Sequence, residues 1–115
     1  MSSEEFSSKP TDLDTAIELR RKELNIKYKE IEPYDVFLQN LFKVFNTAIK
    51  RPERVYYALI DVYSYYLVFV NLNNKEIYYI KMSHLKKFTV RDPKPEEVIT
   101  IREAVEKHYK TIGLL

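Results

Sequence analysis

Cysteine is absent from this chain of 115 residues, and glycine occurs once, at Gly113. The lack of thiols excludes disulfides, zinc–thiolate sites and thiol nucleophiles, and it favours a cytoplasmic protein without a redox role. A single glycine leaves no glycine-rich loop to hold a phosphate, so Walker and Rossmann nucleotide sites are excluded as well. Composition alone therefore rules out several common classes of enzyme.

Long apolar runs and metal-ligating side chains are also scarce. Residues 65–70 form the longest nearly unbroken apolar run, far shorter than the about 20 residues that cross a bilayer, and the acidic N-terminus does not resemble a signal peptide. His84 and His108 have no nucleophile or acid at a telling distance in the sequence, so we interpret both as surface or boundary residues. We predict no membrane partner, no metal, no cofactor and no enzymatic activity.

Acidic residues give little indication of catalysis. Asp12 and Asp14 lie two positions apart in a predicted helix, so their side chains diverge, and the positive end of the helix dipole explains them better than a metal ion does. Asp61, Glu76 and Lys81 are the residue types of a metal-dependent nuclease, but their spacing does not fit the Glu-x-Lys pattern of such strands. Neither set changes the prediction of a non-enzymatic protein.

Large apolar side chains are plentiful. Apolar residues make up 45% of the chain and aromatic residues 14%, which favours a folded protein because burying them offsets the entropy lost on folding. We predict a disordered tail at residues 1–10 and a single domain at residues 11–115. Little glycine, no cysteine and abundant lysine, glutamate, isoleucine and tyrosine also resemble a thermophilic composition.

Helical periodicity marks three segments. Apolar residues recur at helical spacing over residues 11–31, where Thr11 is the predicted N-cap. A second helix is predicted from Pro33 to Lys50, with a much broader apolar face. A third is predicted over residues 96–112, with acidic residues at its start and basic residues at its end.

The segment before the third helix favours strands. Val, Ile, Tyr and Phe dominate it, and their branched or flat side chains suit a pleated surface. We predict strands at about 54–60, 65–72 and 75–82 and leave a fourth at 85–90 open; the first could instead be a helix from Pro52. The predicted fold is α+β in the order helix, helix, three or four antiparallel strands, helix, with one sheet face packed on helices.

A two-residue turn at Asn73–Asn74 fixes the predicted register of the hairpin, because asparagine tolerates positive φ angles. Val70 then lies opposite Ile77, and Tyr66 lies opposite Lys81. Side chains alternate between the two faces of a strand, so each Tyr-Tyr doublet of the hairpin must place one ring on each face. The register therefore decides which tyrosines belong to the core.

The two faces of the predicted hairpin differ in polarity. Tyr65 and Tyr78 share a nearly all-apolar face and are predicted to lie on the core side. Tyr66 and Tyr79 share the other face with lysines and with aliphatic residues. The aliphatic members indicate that the remaining helices, or a second copy of the chain, cover this face.

Basic residues concentrate in the strand region. Residues 42–91 carry nine basic and three acidic side chains, a net charge of +6, within a chain whose net charge is +2, and they hold seven of the ten tyrosines. Cations that follow phosphates and rings that stack on bases are the usual means of holding single-stranded nucleic acid. An ordinary solvated surface would have the same composition, so the signal is unspecific.

We predict from this pattern a small non-enzymatic binding protein that holds nucleic acid, single-stranded in one version of the hypothesis, on its sheet region. Tyr66 and Tyr79 are the predicted stacking residues. The predicted phosphate contacts are Arg51, Arg54, Lys75, Lys81, Lys86, Lys87 and Arg91. The alternative is a protein-interaction module or homodimer that uses the same sheet face or the first helix.

Overall fold

The computed structural model describes residues 10–47, 55–85 and 87–115. In chain order the elements of these residues are α1 (Leu13–Tyr28), α2 (Glu32–Gln39), β1 (Val44–Thr47), β2 (Val55–Val62), β3 (Tyr66–Asn71), β4 (Ile77–Lys81), a 3₁₀ turn (Met82–His84), β5 (Thr89–Arg91) and α3 (Pro95–Thr111). The five strands form one antiparallel sheet in the order β4-β3-β2-β1-β5. The predicted α+β class is confirmed, with five strands where three or four were expected.

The N-cap of α1 is Asp12 and not the predicted Thr11. The carboxylate of Asp12 accepts hydrogen bonds from the hydroxyl (3.0 Å) and from the backbone N (2.9 Å) of Thr15. These two bonds, the hydroxyl bond foremost, lower the pKa of Asp12. A charged side chain that accepts two bonds at the positive end of the dipole is the stronger cap, so the helix begins at Leu13.

The predicted second helix ends at Gln39, so the prediction is wrong for residues 40–47, while its last residues, 48–50, lie outside the described part of the chain. The chain turns at residues 40–42, where Phe42 adopts a φ of +69°, and continues as β1, which pairs with both β2 and β5. Val44 and Phe45 are both fully buried, on opposite faces of the sheet. A strand covered on both faces is apolar at consecutive positions, and this pattern is easily mistaken for the broad apolar face of a buried helix.

The open alternatives for the other strands are decided in the described residues. Residues 55–62 form a strand and not a helix, while residues 48–54 lie outside the described part of the chain. The fourth predicted strand, at 85–90, is the three-residue β5, Thr89–Arg91. No helix in the described parts of the chain is long and apolar enough to span a membrane.

The β3–β4 hairpin has the predicted register. Val70 pairs with Ile77, and Tyr66 pairs with Lys81. Alternation of side chains along each strand therefore holds as expected, and Tyr66 lies on the same face as Val70. This register places the doublet tyrosines of β4 on opposite faces of the sheet.

The turn of this hairpin is built differently from the expectation. The side-chain oxygen of Asn71 accepts hydrogen bonds from the backbone N of Asn73 (2.8 Å) and of Asn74 (3.2 Å). The positive φ falls on Lys75, at +64°, and not on either central asparagine. Because the Asn71 side chain closes the turn locally, the asparagines after it need no left-handed conformation.

Both faces of the sheet are covered by helices. One face packs on α2 and the C-terminal half of α1, around Phe45 and Phe69. The other packs on α3 and the first turns of α1, around Val68, Val70 and Val105. The face predicted to be mixed is thus covered by α3, which was one of the two expected alternatives.

Candidate binding groove and the buried charge network beneath it

A β-bulge in β2 places one acidic residue on the α3 side of the sheet. Leu59 pairs with Phe69 of β3, but Asp61 pairs with Val68, so Ile60 is an extra residue. In a regular strand, without a bulge, Asp61 would share the face of Leu59, since alternate residues of a strand point to the same side. The bulge therefore turns a carboxylate toward α3 instead of toward the apolar core beneath α2.

Asp61 is fully buried and joins two basic side chains. Its Oδ1 accepts hydrogen bonds from Nε of Arg20 (3.0 Å) and from the backbone N of Val62 (2.8 Å), and its Oδ2 lies 2.8 Å from Nε2 of His108. The side chain of His108 is 1% exposed. The network connects α1, β2 and α3, and within the described residues no buried side-chain nitrogen or oxygen lacks a hydrogen-bond partner.

The partners in this network define its protonation. Because a carboxylate accepts hydrogen bonds, the nitrogen of His108 that faces Asp61 carries the hydrogen. Burial lowers the pKa of Arg20. The charge of Asp61, the hydrogen bond to it and the charges of Glu23 and Tyr63 together raise this pKa by more, so the guanidinium is charged. Burial, followed by the charge of Asp61, raises the pKa of Tyr63 and of Tyr109, so both phenols are neutral.

A groove of about 530 Å³ opens beside the network, between the β3–β4 turn, strand β4 and the last turns of α3. Its lining residues are Asn74, Lys75, Glu76, Ile77, Tyr79, Lys107, His108 and Thr111. Of these eight, only His108 is buried, so it forms the floor. Tyr79 is 58% exposed and forms one wall.

Aromatic rings connect the groove to the network. Tyr63 stacks on Tyr66 with 4.9 Å between ring centroids, and Tyr66 meets the edge of Tyr79 at 5.7 Å. The centroids of Tyr79 and His108 are 6.4 Å apart. Arg20 lies over Tyr63, 5.4 Å from its centroid, so the row of rings begins at the buried charges and ends in the groove.

Four of the predicted site residues lie together in this part of the molecule. Tyr79 and Lys75 line the groove. Tyr66 is half-buried next to Tyr79, and the exposed Lys81 pairs with Tyr66 across the hairpin. Lys107 joins them from α3, although the sequence did not single it out.

Two other predicted contacts, Arg91 and Lys87, are not among the residues that line the groove. Arg91 lies in β5, at the opposite edge of the sheet, where both of its terminal nitrogens bond Glu97 at 2.7 and 2.8 Å. Lys87 lies between the 3₁₀ turn and β5. The remaining three predicted contacts, Arg51, Arg54 and Lys86, lie outside the described residues.

Two interpretations of single residues were wrong. Tyr65 was expected on the core side but is 82% exposed, because it precedes β3 in a bend and so does not follow the alternation of the strand. His108 was expected at a boundary or surface and is buried against Asp61. Tyr78, the other ring expected on the core side, is 36% exposed and meets the edge of Tyr57.

The sequence does carry a signal for the missed network. Ile101, Ala104, Val105 and His108 follow helical spacing and are all buried, which is the pattern of a single core stripe. Asp61 is likewise the one charged residue in the apolar run of β2. A lone acid in an apolar strand and a histidine in an apolar stripe predict each other as partners, because a buried charge needs one.

Neither a metal site within the described residues nor a similarity to known proteins adds to these observations. In the described parts of the chain, no group of three His, Cys, Asp or Glu side chains is arranged to hold a metal ion. No protein-family model matches the chain, and no curated protein or solved structure is significantly similar to it.

Proposed function

We propose that the protein binds single-stranded nucleic acid in the groove between β4 and α3. The observation that carries this proposal is the pair of adjacent rings, Tyr66 and Tyr79, flanked by Lys75, Lys81 and Lys107. Bases stack on exposed rings at about 1–3 kcal/mol each, whatever their sequence. Lysines along the same path supply the contacts to phosphates.

The cations of this groove are available to a ligand. Lys75, Lys81 and Lys107 are exposed, and none of them forms an ion pair with a carboxylate of the described residues. Glu76, the carboxylate in the lining, accepts a hydrogen bond from Tyr78. The groove therefore combines an excess of positive charge with an accessible ring.

Arg91 contributes little to the proposed interface. Its guanidinium already makes a bidentate pair with Glu97 and lies 5.1 Å from the centroid of Tyr56. A phosphate at this edge would have to compete with that carboxylate. The proposal therefore rests on the lysines of the groove, and the contacts predicted for Arg51, Arg54, Lys86 and Lys87 stay predictions.

The test is a titration of labelled oligonucleotides of about 12 nucleotides, single-stranded and duplex, followed by fluorescence anisotropy. Single strands are expected to bind more tightly at about 50 mM than at about 200 mM salt, because phosphate contacts release counterions. Replacing Tyr79→Ala is expected to weaken binding about tenfold or more. Tyr65→Ala is the matched control, since it removes an exposed ring outside the groove lining.

Two outcomes contradict the proposal. One is the absence of binding to any single strand at the lower salt concentration. The other is an equal loss of affinity in Tyr79→Ala and Tyr65→Ala, which would mean that ring exposure alone, and not the groove, governs the interaction. Circular dichroism of both variants confirms that the fold is retained.

A second candidate function, pairing with another protein strand, is favoured by the free edge of β4. The backbone N of Asn71 donates to the O of Glu76, and the N of Met82 donates to the O of Tyr65. Alternation along an antiparallel pair then turns the N–H and C=O groups of Tyr79 and its second neighbours away from β3. Such an edge can accept β4 of a second copy.

Lys81→Pro separates this candidate from nucleic-acid binding. Lys81 has a φ of −60°, which proline shares, so the substitution removes an outward N–H without a large backbone change. A homodimer through β4 predicts a molar mass near twice 13.8 kDa by light scattering, which Lys81→Pro would halve and Lys81→Gln would not. A wild-type protein that is monomeric at high concentration contradicts the homodimer.

A further inference from the structure

The buried side chains of the network beneath the groove, Arg20, Asp61 and His108, carry balanced charges only while His108 is neutral. Arg20 carries one positive charge and Asp61 one negative charge, and the two are bonded to each other. Arg20 also pairs at 2.6 Å with the carboxylate of Glu23, but that side chain is 58% exposed and therefore lies in solvent, outside the buried set. A proton on the imidazole would leave one positive charge unmatched in a fully buried place. Unmatched buried charges are costly, so protonation of His108 calls for an additional anion close by.

The groove is where such an anion would lie. His108 forms its floor, and the exposed Lys75, Lys107 and Thr111 also line it. The hydrogen bonds of the imidazole to Asp61 and to Tyr63 (3.5 Å) both use Nε2. Nδ1 therefore takes no part in either bond and is the atom that a proton and a ligand would use.

Charged and titratable groups on every neighbouring element either join the imidazole in the network and the row of rings or line the same groove. They are Arg20 of α1 with its partner Glu23, Asp61 of β2 and Tyr63 after it, Tyr66 of β3, Tyr79 of β4, Lys75 and Glu76 of the turn, and Lys107 and Tyr109 of α3. Imidazole is the side-chain type in this set that ordinarily changes charge between about pH 5 and pH 8. Any uptake of a proton near neutrality would thus be assigned to His108.

We propose that His108, Lys75 and Lys107 form a phosphate-binding subsite on the floor of the groove, and that a phosphate group binds there together with one proton taken up by His108. The proposal rests on the proposed function, because it assigns one phosphate of the bound strand to this place. The proton comes from the solvent and forms the N–H bond at Nδ1, while Nε2–H continues to donate its hydrogen bond to Asp61. The ligand then supplies the missing negative charge.

Proton uptake is measured by calorimetric titration of the single-stranded oligonucleotide in two buffers of different ionisation enthalpy. Uptake makes the observed heat depend on the buffer, and Kd should fall by up to about tenfold per pH unit as pH is lowered from about 8 to about 6. His108→Gln is expected to abolish uptake and to flatten this pH dependence. The amide of glutamine can still donate to Asp61.

His84→Gln is the matched control, because it makes the same chemical change at an exposed histidine outside the groove lining. Proton uptake should be unchanged in this variant. If His108→Gln does not fold, the carbon resonances of the two imidazoles in the wild type give the answer. Added oligonucleotide at constant pH should move the His108 resonances toward the protonated position and leave those of His84 in place.

The outcomes distinguish the subsite from the function on which it rests. Binding of the oligonucleotide without any buffer-dependent heat overturns the subsite and leaves nucleic-acid binding intact. Uptake that persists in a folded His108→Gln variant also overturns it. In a third outcome the protein does not bind the oligonucleotide but takes up a proton when inorganic phosphate is added alone as the probe. This outcome supports the subsite and contradicts the proposed function.

Discussion

The two ends of α3 handle charge in opposite ways. At its first turn Glu97 is held by both terminal nitrogens of Arg91, so the charges match. At its last turns the exposed Lys107 and the buried His108 face a groove, and the nearby carboxylate of Asp61 is already bonded to a guanidinium. One end of the helix, the closed end, is therefore an ionic contact with matched charges, whereas at the other, the open end, Lys107 forms no ion pair within the described residues.

The closed contact at the first turn also caps the helix. The carboxylate of Glu97 accepts a hydrogen bond from the backbone N of Lys94 (2.8 Å) in addition to those from the Arg91 side chain. The hydrogen bond from Arg91 is the largest cause of the low pKa of Glu97, about 2. A carboxylate that accepts this many hydrogen bonds has a structural role. Its partner Arg91 would have to give up this ion pair in order to contact a ligand.

The largest effect on stability is expected at the buried charge network. Asp61→Ala leaves Arg20 and His108 without their shared carboxylate, and removing one member of a buried ionic network costs about 3–5 kcal/mol of the free energy of unfolding. Urea denaturation followed by circular dichroism measures this loss.

Val68→Ala is the control for Asp61→Ala, because Val68 is the fully buried cross-strand neighbour of Asp61. It removes only apolar volume and should cost about 2 kcal/mol, whatever the pH. If Asp61→Ala costs no more than Val68→Ala, the network contributes no electrostatic stability.

Local patterns made much of the fold predictable. The β3–β4 register follows from short-range alternation, so Tyr66, Tyr79 and Lys81 were correctly placed on one face. Strand β1 was missed because both of its faces are buried, which removes the alternation that identifies a strand. The position of Arg91 could not be predicted for the same reason, since β5 pairs with β1 and therefore lies at the edge of the sheet far from β4.

The charge network was harder to predict for a different reason. Asp61 lies 41 residues from Arg20 and 47 from His108 in the sequence, and contact between them depends on the packing of α1 and α3 on the same face. The bulge at Ile60 reverses the side on which Asp61 lies, and one extra residue in a strand leaves no mark in the apolar pattern. The burial of the histidine and its need for an acidic partner were foreseeable from the sequence, but the bulge that turns Asp61 toward it was not.

A smaller effect is expected at the closed end of α3. Glu97→Gln removes the charge that bonds Arg91, and we expect a loss of about 1 kcal/mol in the free energy of unfolding at neutral pH, because the pair is partly exposed. The wild-type pKa of Glu97 is lowered from its usual value near 4.5 to about 2. Its contribution to stability is therefore present above about pH 5 and is lost as the pH falls toward 2.

Urea titrations at several pH values check the Glu97 prediction. The difference in stability between wild type and Glu97→Gln should shrink as the pH falls through this window and vanish near its lower limit. A difference that stays constant from neutral to acidic pH would show that the charge of Glu97 does not cause it, since the amide oxygen of glutamine can still accept the hydrogen bond from the backbone of Lys94.

The smallest expected effect tests whether the groove at the last turns of α3 has a role of its own in ligand binding. Lys107→Ala should weaken binding of the single strand severalfold and reduce the slope of log K against log salt by about 0.7, the value for one phosphate contact. Lys110→Ala is the control, because Lys110 lies on the same helix but is paired with Glu106 and does not line the groove. Equal slopes for the two variants would mean that the nucleic-acid strand binds near α3 by general attraction to positive charge, and that the groove has no role of its own.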